Sequence, residues 1–231
     1  MKQLIAFILI LISLSANAQK DVTKFMGIPV DGSKAEMKKA LIKKGFKYNS
    51  VKDYFIGEFN GCKSYIYVIT NRNKVWRIVV SDYNLSDEVD IKIRFNNLVE
   101  QFDKNKKYIK RTTDSYLIPE SENIAWGIDL HKKRYEAGYV QAPDLSKIDT
   151  AYTNKIVMEA VFREFTPAQV KNPTAAQQQR IKEIINEEGE KITSELFFKK
   201  SVWFIINKIL DSYQIILYYD NEYNHSNGED L

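Results

Sequence analysis

Apolar positions along this chain alternate between a helical spacing of about 3.6 residues and a strand spacing of two, with turn residues at the switches. Ser33 and Glu36 form a capping box ahead of Met37, Ala40 and Leu41, and Gly45 offers a left-handed stop, so a helix is predicted over 34–44. Tyr54 to Phe59 and Cys62 to Ile69 are aromatic and β-branched, and they flank Asn60-Gly61, a pair suited to the positive φ angles of a type I′ hairpin turn. Asn71-Arg72-Asn73 then leads into Val75 to Val80, which completes a three-stranded antiparallel meander. Within it Trp76, Ile78 and Val80 fall on one face, read as core.

A second helix is expected after a cap at Ser86, because Ile91, Phe95, Leu98 and Phe102 repeat along one stripe. Ile124 to Leu130 and Arg134 to Val140 read as a second hairpin about His131-Lys132-Lys133. Helical spacing returns over Tyr152 to Phe165, at Thr166-Pro167, and behind the Thr174/Gln177 capping box through Ile181, Ile184, Ile185, Ile192 and Leu196. Ser201 to Ile206 and Gln214 to Tyr219 form a last hairpin. With no regular strand–helix alternation, the class is α+β: an antiparallel meander and hairpins packed against several helices. Helix followed by antiparallel strands occurs more than once, although no residue pattern repeats in register.

The apolar run Leu4 to Ile12 belongs to neither period. Lys2 precedes it and Ala16-Asn17-Ala18 follows, the layout of an export signal over residues 1–18 with cleavage between Ala18 and Gln19. The run is shorter than the roughly 20 residues of a spanning helix, and no later stretch is apolar and uncharged for that length, so no transmembrane segment is expected in the mature chain. Residues 19–231 are read as one α+β domain, the polar tract 103–115 being the best place for any subdivision. With 14 tyrosines and 12 phenylalanines the chain is globular rather than disordered. A net charge of +4, mixed along the chain and reduced by one with Lys2, gives no reason to expect a nucleic-acid partner. The single cysteine, Cys62, excludes an intramolecular disulfide and reads as a buried strand residue.

Candidate chemistry is sparse. His131 and His225 lack a nucleophile-elbow or HExxH context, so neither a nucleophilic triad nor a zinc site is assigned, and no catalytic residue, metal or other cofactor is expected. Acidic pairs such as Glu120/Glu122 and Asp220/Glu222 keep a carboxylate-dependent hydrolase of glycans or cell-wall material as the alternative. The tail from Asp220 fails as an EF-hand loop, since His225 and Leu231 stand where glycine and glutamate are needed. Lys104, Lys106, Lys107, Lys110 and Arg111 read as a solvated helix end. Trp126, Tyr135 and Tyr139, placed on the second hairpin, are the candidate ligand contacts.

Five segments, Val22 to Gly32, Asn73 to Ile78, Ile91 to Leu98, Lys200 to Phe204 and Tyr219 to Asn224, together resemble a family of uncharacterised exported proteins of Bacteroides-type gut bacteria. The likeness covers most of the mature chain and implies a Gram-negative envelope protein, periplasmic or secreted, but brings no activity with it. It also implies O-glycosylation at Asp-Ser/Thr-small tripeptides, which Asp149-Thr150-Ala151 fits, making Thr150 a candidate. The expected function is a non-enzymatic binding module for a protein, peptide or glycan of the envelope or extracellular space, working through a sheet face or hairpin edge.

Overall fold

The computed structural model describes residues 21–144, 146 and 150–225. The signal segment with its Ala18/Gln19 cleavage site lies outside the described residues, as do Asp149 and the last six residues. The chain forms two compact units: Val22–Ala142 with the stretch from Phe198 onward, and Asp21 with the stretch from Pro143 to Phe197. The polar tract 103–115 runs inside the first of these.

The larger unit opens with a two-stranded ribbon, β1 (Lys24–Phe25) and β2 (Ile28–Pro29), followed by helix α1 (Lys34–Lys43). The predicted capping box is formed, with the Ser33 hydroxyl accepting from the Glu36 amide. Four strands follow: β3 (Lys47–Asn49), β4 (Tyr54–Phe59), β5 (Cys62–Asn71) and β6 (Lys74–Asp82). Asn60 and Gly61 both take positive φ in the β4–β5 turn, as do Arg72 and Asn73 between β5 and β6. Helix α2 (Glu88–Lys104) then precedes β7 (Tyr108–Lys110), helix α3 (Ile124–His131), β8 (Glu136–Gln141), β9 (Ser201–Ile209) and β10 (Ser212–Asp220). All pairings are antiparallel, in the order β3-β4-β5-β6-β10-β9-β8-β7. A helix followed by four strands thus occurs twice, and the two quartets join along β6 and β10. The fold is α+β, as the patterning implies.

One sheet face carries the core. Phe55, Ile66, Val68, Ile78, Val80, Phe204, Ile215 and Leu217 alternate along their strands toward Met37 and Leu41 of α1 and Phe95, Leu98 and Phe102 of α2, all buried. Such burial contributes roughly 1.5–3 kcal/mol for each large side chain and is the main force holding helices to sheet. Arg94 of α2 adds a polar clamp, its Nε donating to Asp82 at 2.6 Å, while Asp82 also accepts from the Ile215 amide at 3.1 Å.

Four sequence expectations are corrected. The cap of α2 is Asp87, not Ser86; its carboxylate accepts from the Asp90 amide at 2.8 Å, while Ser86 is bridged to Tyr213. The second hairpin is absent: Ile124 to His131 is helical, capped by Asn123 at its start and closed by Lys132 in the left-handed region at φ 52°. Trp76 leaves the core face because it is the extra residue of a β-bulge, lying between Val75, which faces Thr70, and Arg77, which faces Ile69. Cys62 is half-buried, with its thiol beside the Arg94 guanidinium.

The second unit is helical, with α4 (Thr150–Glu164), α5 (Pro167–Lys171) and α6 (Ala175–Phe198). Thr166 caps α5 as expected, and Gln169 completes a capping box there, while Thr174 accepts from the Gln177 amide at 3.3 Å ahead of α6. Its core is small, Ala160, Val161 and Ile184 with Phe165, Val170 and Ile181 against them. Arg180 adds a surface network, reaching Glu164 at 2.9 Å and Glu187 at 3.0 Å. Among the described residues no helix is long and apolar enough to cross a membrane.

Candidate ligand-binding site

Strand alternation sends every second side chain to the sheet face opposite α1 and α2. Tyr54, Tyr65, Tyr67, Arg77, Trp203 and Tyr218 stand there half-buried rather than in the core. Tyr54 meets Tyr65 edge-on at 4.9 Å between ring centroids, and Tyr65 lies 6.5 Å from Tyr67. Trp203 and Tyr218 face each other in the β9–β10 register and stack at 4.0 Å and 13°.

Asp220 fixes the Trp203–Tyr218 end of this array. Its side chain is 3% exposed and accepts from Arg77 Nε at 2.6 Å, the second Arg77 nitrogen at 2.7 Å and the Trp203 indole at 2.9 Å. Arg77, held in that fork, lies over the rings of Trp76 at 4.2 Å and Tyr218 at 4.9 Å. Both Asp220 oxygens are therefore engaged. Three of the roughly four acceptor sites of this carboxylate are filled by groups that order the rings, so most of its hydrogen-bonding capacity is spent within the fold.

Beside Trp203 the face falls into a cleft of about 360 Å³ lined by Arg111, Tyr116, Arg134, Glu136, Gly138 and Trp203. Gly138 pairs with Trp203 across β8 and β9, so no side chain from that position covers the indole. Its carbonyl accepts from the Arg111 amide at 3.0 Å and the Tyr116 hydroxyl at 2.9 Å. A Cβ at position 138 would meet Arg111 Cδ at 3.1 Å, so the glycine gives the arginine methylenes their seat. Arg134 is paired with Glu136 at 2.8 Å, both half or more exposed or nearly so.

The aromatic residues singled out from the sequence lie elsewhere. Trp126 is on α3 and 63% exposed. Tyr135 is buried against Gly127 of α3, and its hydroxyl donates to the Glu122 carboxylate. Tyr139 is fully buried on the helix-facing side of β8, stacked on Phe102 at 4.8 Å with its hydroxyl donating to Asp103 at 2.9 Å. Burial first, then the neighbouring carboxylate, pushes both phenols well above the ordinary tyrosine range. The expectation that the three share one hairpin surface is corrected by the helical course of Ile124 to His131. Thr150 is the first residue of α4 and half-buried.

The acidic pairs divide by environment. Glu122 is held below the ordinary glutamate range, first by its hydrogen bond from Lys133 and then by that from Tyr135, which makes it a structural anchor. Glu222 is pushed up, first by burial and then by the Asp220 charge, and His225 Nδ1 lies 3.6 Å from it. His225 also packs on Trp76 at 4.6 Å. Among the described residues no cluster of three or more His, Cys, Asp or Glu could hold a metal ion. Arg77, Tyr65, Tyr67, Trp203 and Tyr218 were not reached from the sequence, and Arg111 was read there only as part of a solvated helix end; the two-residue spacing of Tyr65 with Tyr67 and of Trp203 with Ile205 was the available signal. Comparison of the chain with protein-family models, with curated proteins and with solved structures finds no match.

Proposed function

We propose that the mature protein is a non-enzymatic binding module, exported to the periplasm or beyond, that holds a protein, peptide or glycan against the sheet face bearing Tyr65, Tyr67, Tyr218 and Trp203. The observation that carries this reading is the Asp220–Arg77 fork, which orders Trp76, Trp203 and Tyr218 on a sheet face that also bears Tyr54, Tyr65 and Tyr67, away from the hydrophobic core. Rigid aromatic surfaces of this kind supply contact area at small entropic cost, because few rotors must be frozen on binding. Export rests on the Leu4 to Ile12 apolar run and the Ala-Asn-Ala motif, and the family resemblance points to the same envelope.

Glu222 favours a second reading, a carboxylate-dependent hydrolase, because an acid with a raised pKa beside an anionic one is the arrangement general acid catalysis uses. It is the weaker reading, since the partner acid, Asp220, already spends its oxygens on Arg77 and Trp203. The test is capture by the tagged mature protein from envelope extracts, run beside an assay on glycan, peptide, ester and peptidoglycan substrates. Tyr67→Ser is expected to weaken capture about 30-fold, the equivalent of about 2 kcal/mol for a central aromatic anchor, with no turnover of any substrate. Turnover abolished by Glu222→Gln in a folded protein would replace the binding reading with the hydrolase.

A further inference from the structure

Arg111 is the unbalanced charge of the cleft. Arg77 is committed to Asp220, Lys110 lies 3.9 Å from Asp103, and Arg134 is paired with Glu136. No carboxylate among the described residues lies within ion-pair distance of Arg111. Arg111 is exposed at the rim of the cleft, with its methylenes over Gly138 and its guanidinium 5.9 Å from the centre of the Phe198 ring. A fork-shaped donor whose stem is seated at the cleft and which has no carboxylate within ion-pair distance suits a planar anion, whose geometry the guanidinium matches.

The second half of the cleft is aromatic. Tyr218 stacks on one face of Trp203 at 4.0 Å and the Arg77 guanidinium lies 5.7 Å from the ring centre, while on the β8 side the opposing residue is Gly138, so the indole borders the cleft there without a side chain from that position over it. A flat or ring-shaped body fits against the indole there, and Arg134, Glu136 and the Tyr116 hydroxyl provide polar groups around it. Arg111 and Arg134 against Glu136 leave a single uncompensated positive charge, so the complement is one carboxylate.

We infer that this cleft binds a carboxylate carried on a ring, with the ring on the cleft side of Trp203 and the carboxylate on Arg111. The inference rests on the binding-module reading and names the chemistry of its ligand. Two sources share that chemistry, a uronic acid unit of a glycan and a free aromatic acid.

The experiment uses the whole mature protein, calorimetric titration and the three indole N–H signals of its three tryptophans in nuclear magnetic resonance. The probes are galacturonate trimer, indole-3-acetate, neutral galactotriose and acetate. At least one ring-borne carboxylate is expected to bind and shift the Trp203 indole signal, to bind at least tenfold more tightly than galactotriose and acetate, and to weaken with added salt. Arg111→Gln should reduce that affinity at least tenfold, and Arg111→Lys, which keeps the charge but loses the fork, should fall between. Should Arg111→Gln fail to fold, Arg111→Lys carries the same comparison. Tighter binding of the trimer assigns the glycan source, and tighter binding of indole-3-acetate the free acid. Equal affinity for the neutral sugar, no effect of either Arg111 variant, or no ring carboxylate bound at millimolar concentration would overturn the inference. A partner still lost on Tyr67→Ser would then leave the binding module standing without this ligand, whereas a partner indifferent to Tyr67 would count against the module itself.

Discussion

Asp220 and Glu222 are two residues apart and do opposite things to the fold. Asp220 anchors a ring array through three charge-assisted or indole hydrogen bonds. Glu222 is pushed above its ordinary value of 4.5, first by burial and then by the Asp220 charge, while His225, Arg77 and Lys199 pull the other way. The folded protein therefore holds this proton to higher pH than the unfolded chain does. Its contribution to stability is fully present below the ordinary glutamate value and is lost as pH rises through the raised one. Glu222→Gln should accordingly raise the thermal midpoint relative to wild type at pH 7, with a smaller gain at pH 4; an equal gain at both would show that packing rather than titration is responsible. Gly61 acts through its backbone alone: it sits at φ 73°, and an added Cβ would meet nothing within 4 Å. Gly61→Val should cost roughly 1–3 kcal/mol, because a β-branched residue resists positive φ. Urea unfolding reads this as a lower midpoint at unchanged slope, and an unshifted midpoint would contradict it.

At the scale of elements, local chemistry was legible wherever a short motif acts on its own backbone. The Ser33/Glu36 and Thr174/Gln177 boxes, the Thr166 cap and the Asn60-Gly61 turn fall where their sequences place them. The three-residue strands β3 and β7 have no period to read, because two or three residues cannot distinguish a spacing of two from any other. Ile124 to Leu130 misleads for a related reason: its Trp and Ile residues favour strands, while Asn123 and Lys132 close a helix from both ends. The ring array was hidden because its fork joins residues 143 positions apart, a pairing set by the register of β6 against β10. Trp76 shows the same limit in one residue, since a bulge moves it off the face that alternation assigns.

At the scale of the whole molecule, two helix-plus-four-strand quartets share one sheet, and the duplication hinted at by element order is explicit in the strand order. In the first quartet β4 passes to β5 through Asn60-Gly61 alone, whereas the corresponding β8–β9 connection carries the helical unit of α4 to α6. Gln141 donates to the Lys200 carbonyl at 2.9 Å, so the strand ends that bracket this unit are adjacent. Replacing residues 143–198 by Asn-Gly should leave the larger unit able to unfold in one cooperative urea transition with its β circular dichroism intact. A broad, non-cooperative transition would mean that the sheet depends on the excised helices.

The central claim, that the face bearing the ordered rings is where this protein meets its partner, is tested most directly by photo-crosslinking from single positions in the exported chain. A photoreactive phenylalanine replaces Tyr67 on that face and, separately, Ile42, which is 48% exposed on α1. Both positions stay accessible to a partner, and only one lies on the proposed contact surface. Covalent adducts from position 67 and none from position 42 are the predicted result. Adducts from position 42 alone, or from neither in cells where the protein is exported, would contradict the account.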